Sequence, residues 1–131
     1  MKFARIVYWG AATYGILVLV PGFFLEAEFA RLMLTPVNFP EFYYGFYASA
    51  LVWQFAFIMI ARDPARYRTL IAISIAEKAA FFVPCVWLWS IGRLAASGPL
   101  LGGLIDGVLM LLFAAAWVKT RPDVSSSGDN I

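Results

Sequence analysis

The chain has 131 residues, 63% of them hydrophobic and 14% charged, with a formal net charge of +2. An average soluble domain carries roughly 25% charged residues, so a water-soluble fold of this length would lack the polar surface to cover itself. So small a charge, scattered through loops rather than gathered in a patch, also sets nucleic acid aside as a partner.

Cysteine and histidine usage excludes more. Cys85 stands alone, so there is no intramolecular disulfide and none of the CxxC pairs of membrane thiol oxidoreductases. With no histidine in the chain, the usual axial ligand of haem and the commonest ligand of zinc, copper or iron are missing. Neither a cofactor nor a metal is expected.

Several apolar runs of about 20 residues match the thickness of a bilayer. They predict an all-α integral membrane four-helix bundle, with spans over 6–24, 43–61, 69–91 and 98–118 inside one membrane domain over 1–120. The first begins after Met1-Lys2-Phe3-Ala4-Arg5, which resembles the start of a signal peptide. The run then continues through Phe24 without a convincing small-x-small cleavage site, so it reads as a retained span. Gly10, Ala11 and Gly15 within it allow a neighbour close, and Pro21-Gly22 marks its exit.

The connection to the second span carries Glu26, Glu28, Arg31 and Glu41 among apolar residues. Two readings stay open for Glu26 to Leu34: a short helix lying in the membrane interface, or a plain loop. The second span opens on Tyr43, Tyr44 and Tyr47, as an interfacial aromatic belt would, and contains Gln54. It closes in a short basic loop around Asp63-Pro64, whose three arginines suit lipid headgroups and whose shortness predicts that spans two and three are antiparallel neighbours.

Glu77, Lys78 and Pro84 lie inside the third span, and Asp106 lies inside the fourth between Gly103 and Gly107. A charged group at mid-bilayer costs roughly 2.5–3.5 kcal/mol on insertion scales, so each needs a partner or water. Counted at 1.5 Å per residue from the basic end of each helix, Gln54, Glu77, Lys78, Thr13 and Tyr14 all fall roughly 12–15 Å deep, and Asp106 roughly 20 Å. Every span therefore contributes a polar group to one middle layer.

Adjacent residues on a helix point about 100° apart, which predicts that Glu77 and Lys78 do not pair directly. Lys78 is expected to reach Asp106, and Gln54 to donate to Glu77. The candidate site is accordingly Glu77, Lys78, Asp106, Gln54, Ser74, Tyr47, Tyr14 and Thr13. Three readings remain open for its charged core: a ligand or proton site, a polar network that only fixes helix packing, or a lysine reaching a wet interface.

Basic residues set the expected orientation. Lys2, Arg5, Arg62, Arg66, Arg68, Lys119 and Arg121 flank one side, against Arg31 and Arg93 on the other, so both termini are expected in the cytoplasm and the chain in the inner membrane. The polar residues 121–131 read as a disordered tail.

The segments Tyr43-Tyr44-Gly45-Phe46, Trp53-Gln54, Ala61 through Arg68, and Glu77-Lys78 resemble small four-span bacterial membrane proteins, over about the middle third of the chain. In size and span count the chain is also similar to DoxX-like proteins and to the sterol-isomerase-type EXPERA domain. That similarity implies acidic groups inside a helical bundle and carries no residue's role with it. The leading expectation is a protein that binds a small lipophilic molecule, with proton transfer or isomerisation as the class of any chemistry. The alternatives are a structural or accessory subunit and a proton-coupled transporter. Expected partners are the bilayer, a lipophilic small molecule, and a second copy of the chain or another membrane protein.

Overall fold

The computed structural model describes residues 1–122, all of whose regular structure is helical. Five helices follow in order: α1 (Lys2–Phe24), α2 (Glu26–Met33), α3 (Pro40–Arg62), α4 (Arg68–Ser90) and α5 (Gly98–Lys119). All but α2 are long and apolar enough to cross a membrane. Their outward faces carry Leu17, Val52, Phe55, Ile73 and Leu111, exposed as lipid-facing residues would be. Of the tail expected over 121–131, residues 123–131 lie outside the described residues.

Sequence spacing explains the packing. Ala4, Tyr8, Ala11, Gly15, Leu19 and Gly22 form the buried stripe of α1, at steps of three and four that keep one face toward a neighbour. On α3 the matching stripe includes Tyr43, Gln54, Phe57 and Ala61. The two helices run antiparallel, and the glycines of α1 are where large α3 side chains fit: a Cβ on Gly15 would collide with Gln54, and one on Gly22 with Tyr47.

A second pair forms in the same way. On α5, a Cβ at Gly103 would come 2.7 Å from Cys85 Cβ, and one at Gly107 would come 2.6 Å from the Phe82 ring. The Gly103-x-x-x-Gly107 seam therefore brings α5 against α4, as that spacing predicts.

The short loop does not decide the neighbours. Helices α3 and α4 are joined by five residues yet touch sparsely, whereas α3 lies along α1 and α4 along α5. The glycine seams hold each of those pairs together over their lengths, and α3 and α4 separate as they leave their shared loop.

The core sits at one end, the end of the α3–α4 loop. Tyr8, Phe57 and Phe113 meet there, with Tyr8 stacked on Phe113 at 4.2 Å and Phe57 edge-on to both. Each such pair adds about 0.5–1.5 kcal/mol beyond area burial. Ala11, Ile60, Ala61, Ile71 and Ala116 fill in around them. Tyr8 and Ser74, both fully buried, share a hydrogen bond of 2.6 Å that ties α1 to α4.

Arginines close the helix ends at this level. Arg5 Nη1 donates to Arg62 O at 2.7 Å, and Arg68 Nη2 donates to Trp117 O at 3.0 Å while its guanidinium stacks 3.5 Å over the Trp117 ring. Both satisfy carbonyls that a helix C-terminus leaves unpaired and complement its negative dipole end. Arg68, expected at headgroups, is thus engaged within the protein.

At the opposite end the two pairs splay apart, and α2 spans the gap. Tyr44 Oη donates to Glu26 Oε2 at 2.8 Å and Tyr43 Oη to Gly22 O at 2.6 Å. Phe29 of α2 meets the Tyr47 ring edge-on at 6.0 Å. Leu34 ends the helix in the left-handed region, at φ 59°, which turns the chain back toward α3.

Candidate functional site

Between the splayed pairs lies a cavity of about 760 Å³, within the roughly 300–1,000 Å³ range of small-molecule pockets. Its walls are apolar and aromatic: Val18 from α1, Phe29 and Met33 from α2, Phe46 and Tyr47 from α3, and Phe81 from α4. The far wall is the glycine-containing start of α5, where Gly98 and Gly102 leave room that larger side chains would take. The Phe46 and Phe81 rings approach to 5.2 Å across the gap between α3 and α4.

Polar groups gather at the floor, where Gln54, Glu77, Lys78 and Asp106 line the cavity above the aromatic core. Lys78 stands on the buried face of α4 in register with Ile71, Ser74 and Cys85. From there its ammonium donates to Asp106 Oδ1 at 3.1 Å, as its position on α4 facing the α5 seam predicts. It also lies 5.3 Å from the Phe57 ring centroid.

Helical geometry alone misplaces two of the expected contacts. Glu77 and Lys78 do approach: the flexible lysine stem carries Nζ back to within 3.6 Å of Glu77 Oε2. The separation of adjacent Cβ directions holds for the backbone, but a four-carbon stem can bridge it. Gln54, expected to donate to Glu77, instead donates to Ala50 O at 2.8 Å on its own helix. Its amide is pressed against Gly15, so the α1–α3 seam, which the sequence reading had not assembled, sets its direction.

The remaining candidates divide. Tyr14 and Tyr47 line the cavity. Ser74 does not: it is buried below the floor, bonded to Tyr8 and donating to Ile71 O at 2.7 Å. Thr13 is exposed and donates to Trp9 O at 2.8 Å, because it falls on the side of α1 away from the Ala4–Gly22 stripe. Its depth matched the layer, but its face did not.

Tyr8 is the core residue that depth counting missed. It lies among small residues at Ala4, Ala11, Ala12 and Gly15, and that stripe was the available signal for a face on which a large side chain could be enclosed.

Two buried oxygens at this level, Gln54 Oε1 and Glu77 Oε2, have no hydrogen-bond partner among the described residues. Glu77 Oε2 is the carboxylate oxygen that faces the Lys78 ammonium at 3.6 Å, and Gln54 Oε1 is enclosed against Gly15 in the α1–α3 seam. Among the described residues no group of three or more His, Cys, Asp or Glu side chains is placed to hold a metal ion. The chain matches no family model, no curated protein and no solved structure.

Proposed function

We propose that the protein is a multi-pass inner-membrane protein that holds a small lipophilic molecule in this cavity. Its apolar body would lie among Val18, Phe29, Phe46 and Phe81, with its polar end at the Gln54, Glu77, Lys78 and Asp106 floor. The observation that carries the reading is the combination of a 760 Å³ apolar chamber with the charged and polar side chains of Gln54, Glu77, Lys78 and Asp106 lining one end of it. A bundle that used these residues only for packing would have closed over them. The concentration of basic residues at the α3–α4 loop end supports an orientation with both termini in the cytoplasm, in which the cavity would lie in the outer half of the bilayer under α2.

The same floor suits proton transfer on the bound molecule. Glu77 would take or give the proton, and Lys78 would stabilise negative charge as it develops. One observation favours a structural reading instead: the Lys78–Asp106 bond joins α4 to α5 along their glycine seam.

The test is mass spectrometry of organic extracts from protein purified in mild detergent, comparing wild type with Ala50→Trp. Ala50 lines the cavity, so an indole there fills space without touching the core. A lipophilic compound enriched with wild type and lost from the variant supports binding. If wild type and Ala50→Trp carry the same compounds in the same amounts, the cavity is not a binding site and the structural reading stands.

A further inference from the structure

At the end of the bundle away from the cavity, and independent of it, the geometry points to a second site: a pocket of the α3–α4 loop that holds the phosphodiester of an anionic lipid. The pocket has a volume of about 320 Å³ and is lined by Met59, Arg62, Asp63, Arg66 and Tyr67. Arg62 ends α3, and the loop that follows is anchored by Pro64, which is buried. Asp63 Oδ1 accepts the Arg66 backbone N–H at 3.3 Å, and Tyr67 packs against the aromatic core. Both pocket arginines are therefore carried by one short, held turn.

The three arginines of this loop differ in what they touch. Arg68 is engaged by Trp117, whereas the Arg62 and Arg66 side chains make no hydrogen bond or ion pair among the described residues. Arg66 lies 5.5 Å over the Tyr67 ring, which orients its guanidinium. Asp63 forms an ion pair with neither, so Arg62 and Arg66 against Asp63 leave one net positive charge in the lining, which one phosphodiester matches. The negative end of α3 is covered, because Arg5 Nη1 donates to Arg62 O at 2.7 Å.

Guanidinium forks grip phosphate oxygens in pairs, a geometry that an ammonium lacks. Basic pockets at the charged end of a helical bundle are where acidic headgroups dock. Met59 stands one helical turn before Arg62 on α3 and is 45% exposed, which gives the pocket an apolar wall for an acyl chain. That wall favours a lipid over a soluble phosphate.

The experiment is native mass spectrometry of the full chain in detergent micelles, titrated with phosphatidylglycerol and with phosphatidylethanolamine of the same acyl chains. Phosphatidylglycerol is expected to bind about tenfold more tightly, and Arg62→Gln/Arg66→Gln to abolish that preference. Arg93→Gln, which removes a basic residue outside the pocket, should leave it unchanged. Arg62→Lys/Arg66→Lys keeps both charges without the forks and should weaken phosphatidylglycerol binding by about threefold.

Equal binding of the two lipids, or a preference that survives Arg62→Gln/Arg66→Gln, overturns the site. So does wild-type binding by the lysine variant, or an equal loss in Arg93→Gln, since either makes the effect one of surface charge alone. Displacement of the lipid by an equal concentration of glycerophosphoglycerol, the same headgroup without acyl chains, overturns the lipid as occupant in favour of a soluble phosphodiester. None of these outcomes alters the reading of the cavity, which Ala50→Trp tests.

Discussion

Replacing Lys78 with methionine keeps the length and apolar stem of the side chain and removes only the ammonium. Two carboxylates that share this partner then face each other across the floor. Breaking a buried ion pair by deleting one member costs about 3–5 kcal/mol where the survivor stays dry. Here the Asp106 and Glu77 side chains keep 14% and 18% of their surface, and the adjoining cavity lets them find water, which places the expected loss at the lower end, about 3 kcal/mol. Asp106→Leu should cost less, because Lys78 retains Glu77 at 3.6 Å. The double variant Lys78→Met/Asp106→Leu replaces the pair with apolar side chains and should recover about 2 kcal/mol relative to Lys78→Met alone. Equilibrium unfolding in mixed micelles, with the four proteins forming a double-mutant cycle, measures the coupling. A double variant as unstable as the sum of the single changes would refute the assignment of Asp106 as the partner of Lys78.

Other substitutions probe the seams and the core by the same assay. Gly107→Ala puts a methyl group 2.6 Å from the Phe82 ring and should cost about 1–3 kcal/mol, whereas Gly10→Ala meets nothing within 4 Å and should be neutral or stabilising by up to about 1 kcal/mol. Tyr8→Phe keeps the stack on Phe113 and removes the bond to Ser74, for an expected loss of about 1 kcal/mol; no loss would mean that this bond does not join α1 to α4 in the membrane. Arg68→Met removes both the hydrogen bond to Trp117 O and the guanidinium stacked on its ring, and should lower stability by about 1–2 kcal/mol, more than Arg66→Met on the exposed face of the same loop.

Helix positions were legible because bilayer-length apolar runs leave little choice. The expected spans over 6–24, 43–61, 69–91 and 98–118 differ from the helices by at most four residues at any end. The Gly103/Gly107 seam was legible for a related reason, since small residues at helical spacing state where a neighbour can come close. Pairing partners were harder to read. Proximity in sequence favoured α3 with α4, but contact area depends on surface relief along whole helices, and Gly15 and Gly22 received Gln54 and Tyr47 of α3. Depth along the axis grouped Thr13 with the floor residues, although rotation about the axis turns it outward. Gln54 shows a further limit: nothing local to its own helix says that Gly15 will press its amide back onto Ala50.

The placement of the core at one end of the bundle has a consequence for how the chain tolerates change. Alanines of similar size stand in opposite circumstances: Ala11, Ala61 and Ala116 are enclosed by packed side chains, while Ala50 borders open space. Enlarging one of the first three requires its neighbours to move, at about 1–3 kcal/mol, whereas enlarging Ala50 only takes up room. Sequence drift is therefore constrained at the α3–α4 loop end and permissive at the α2 end. A chain built this way can alter the size and shape of its chamber through single substitutions without reopening the question of whether it folds.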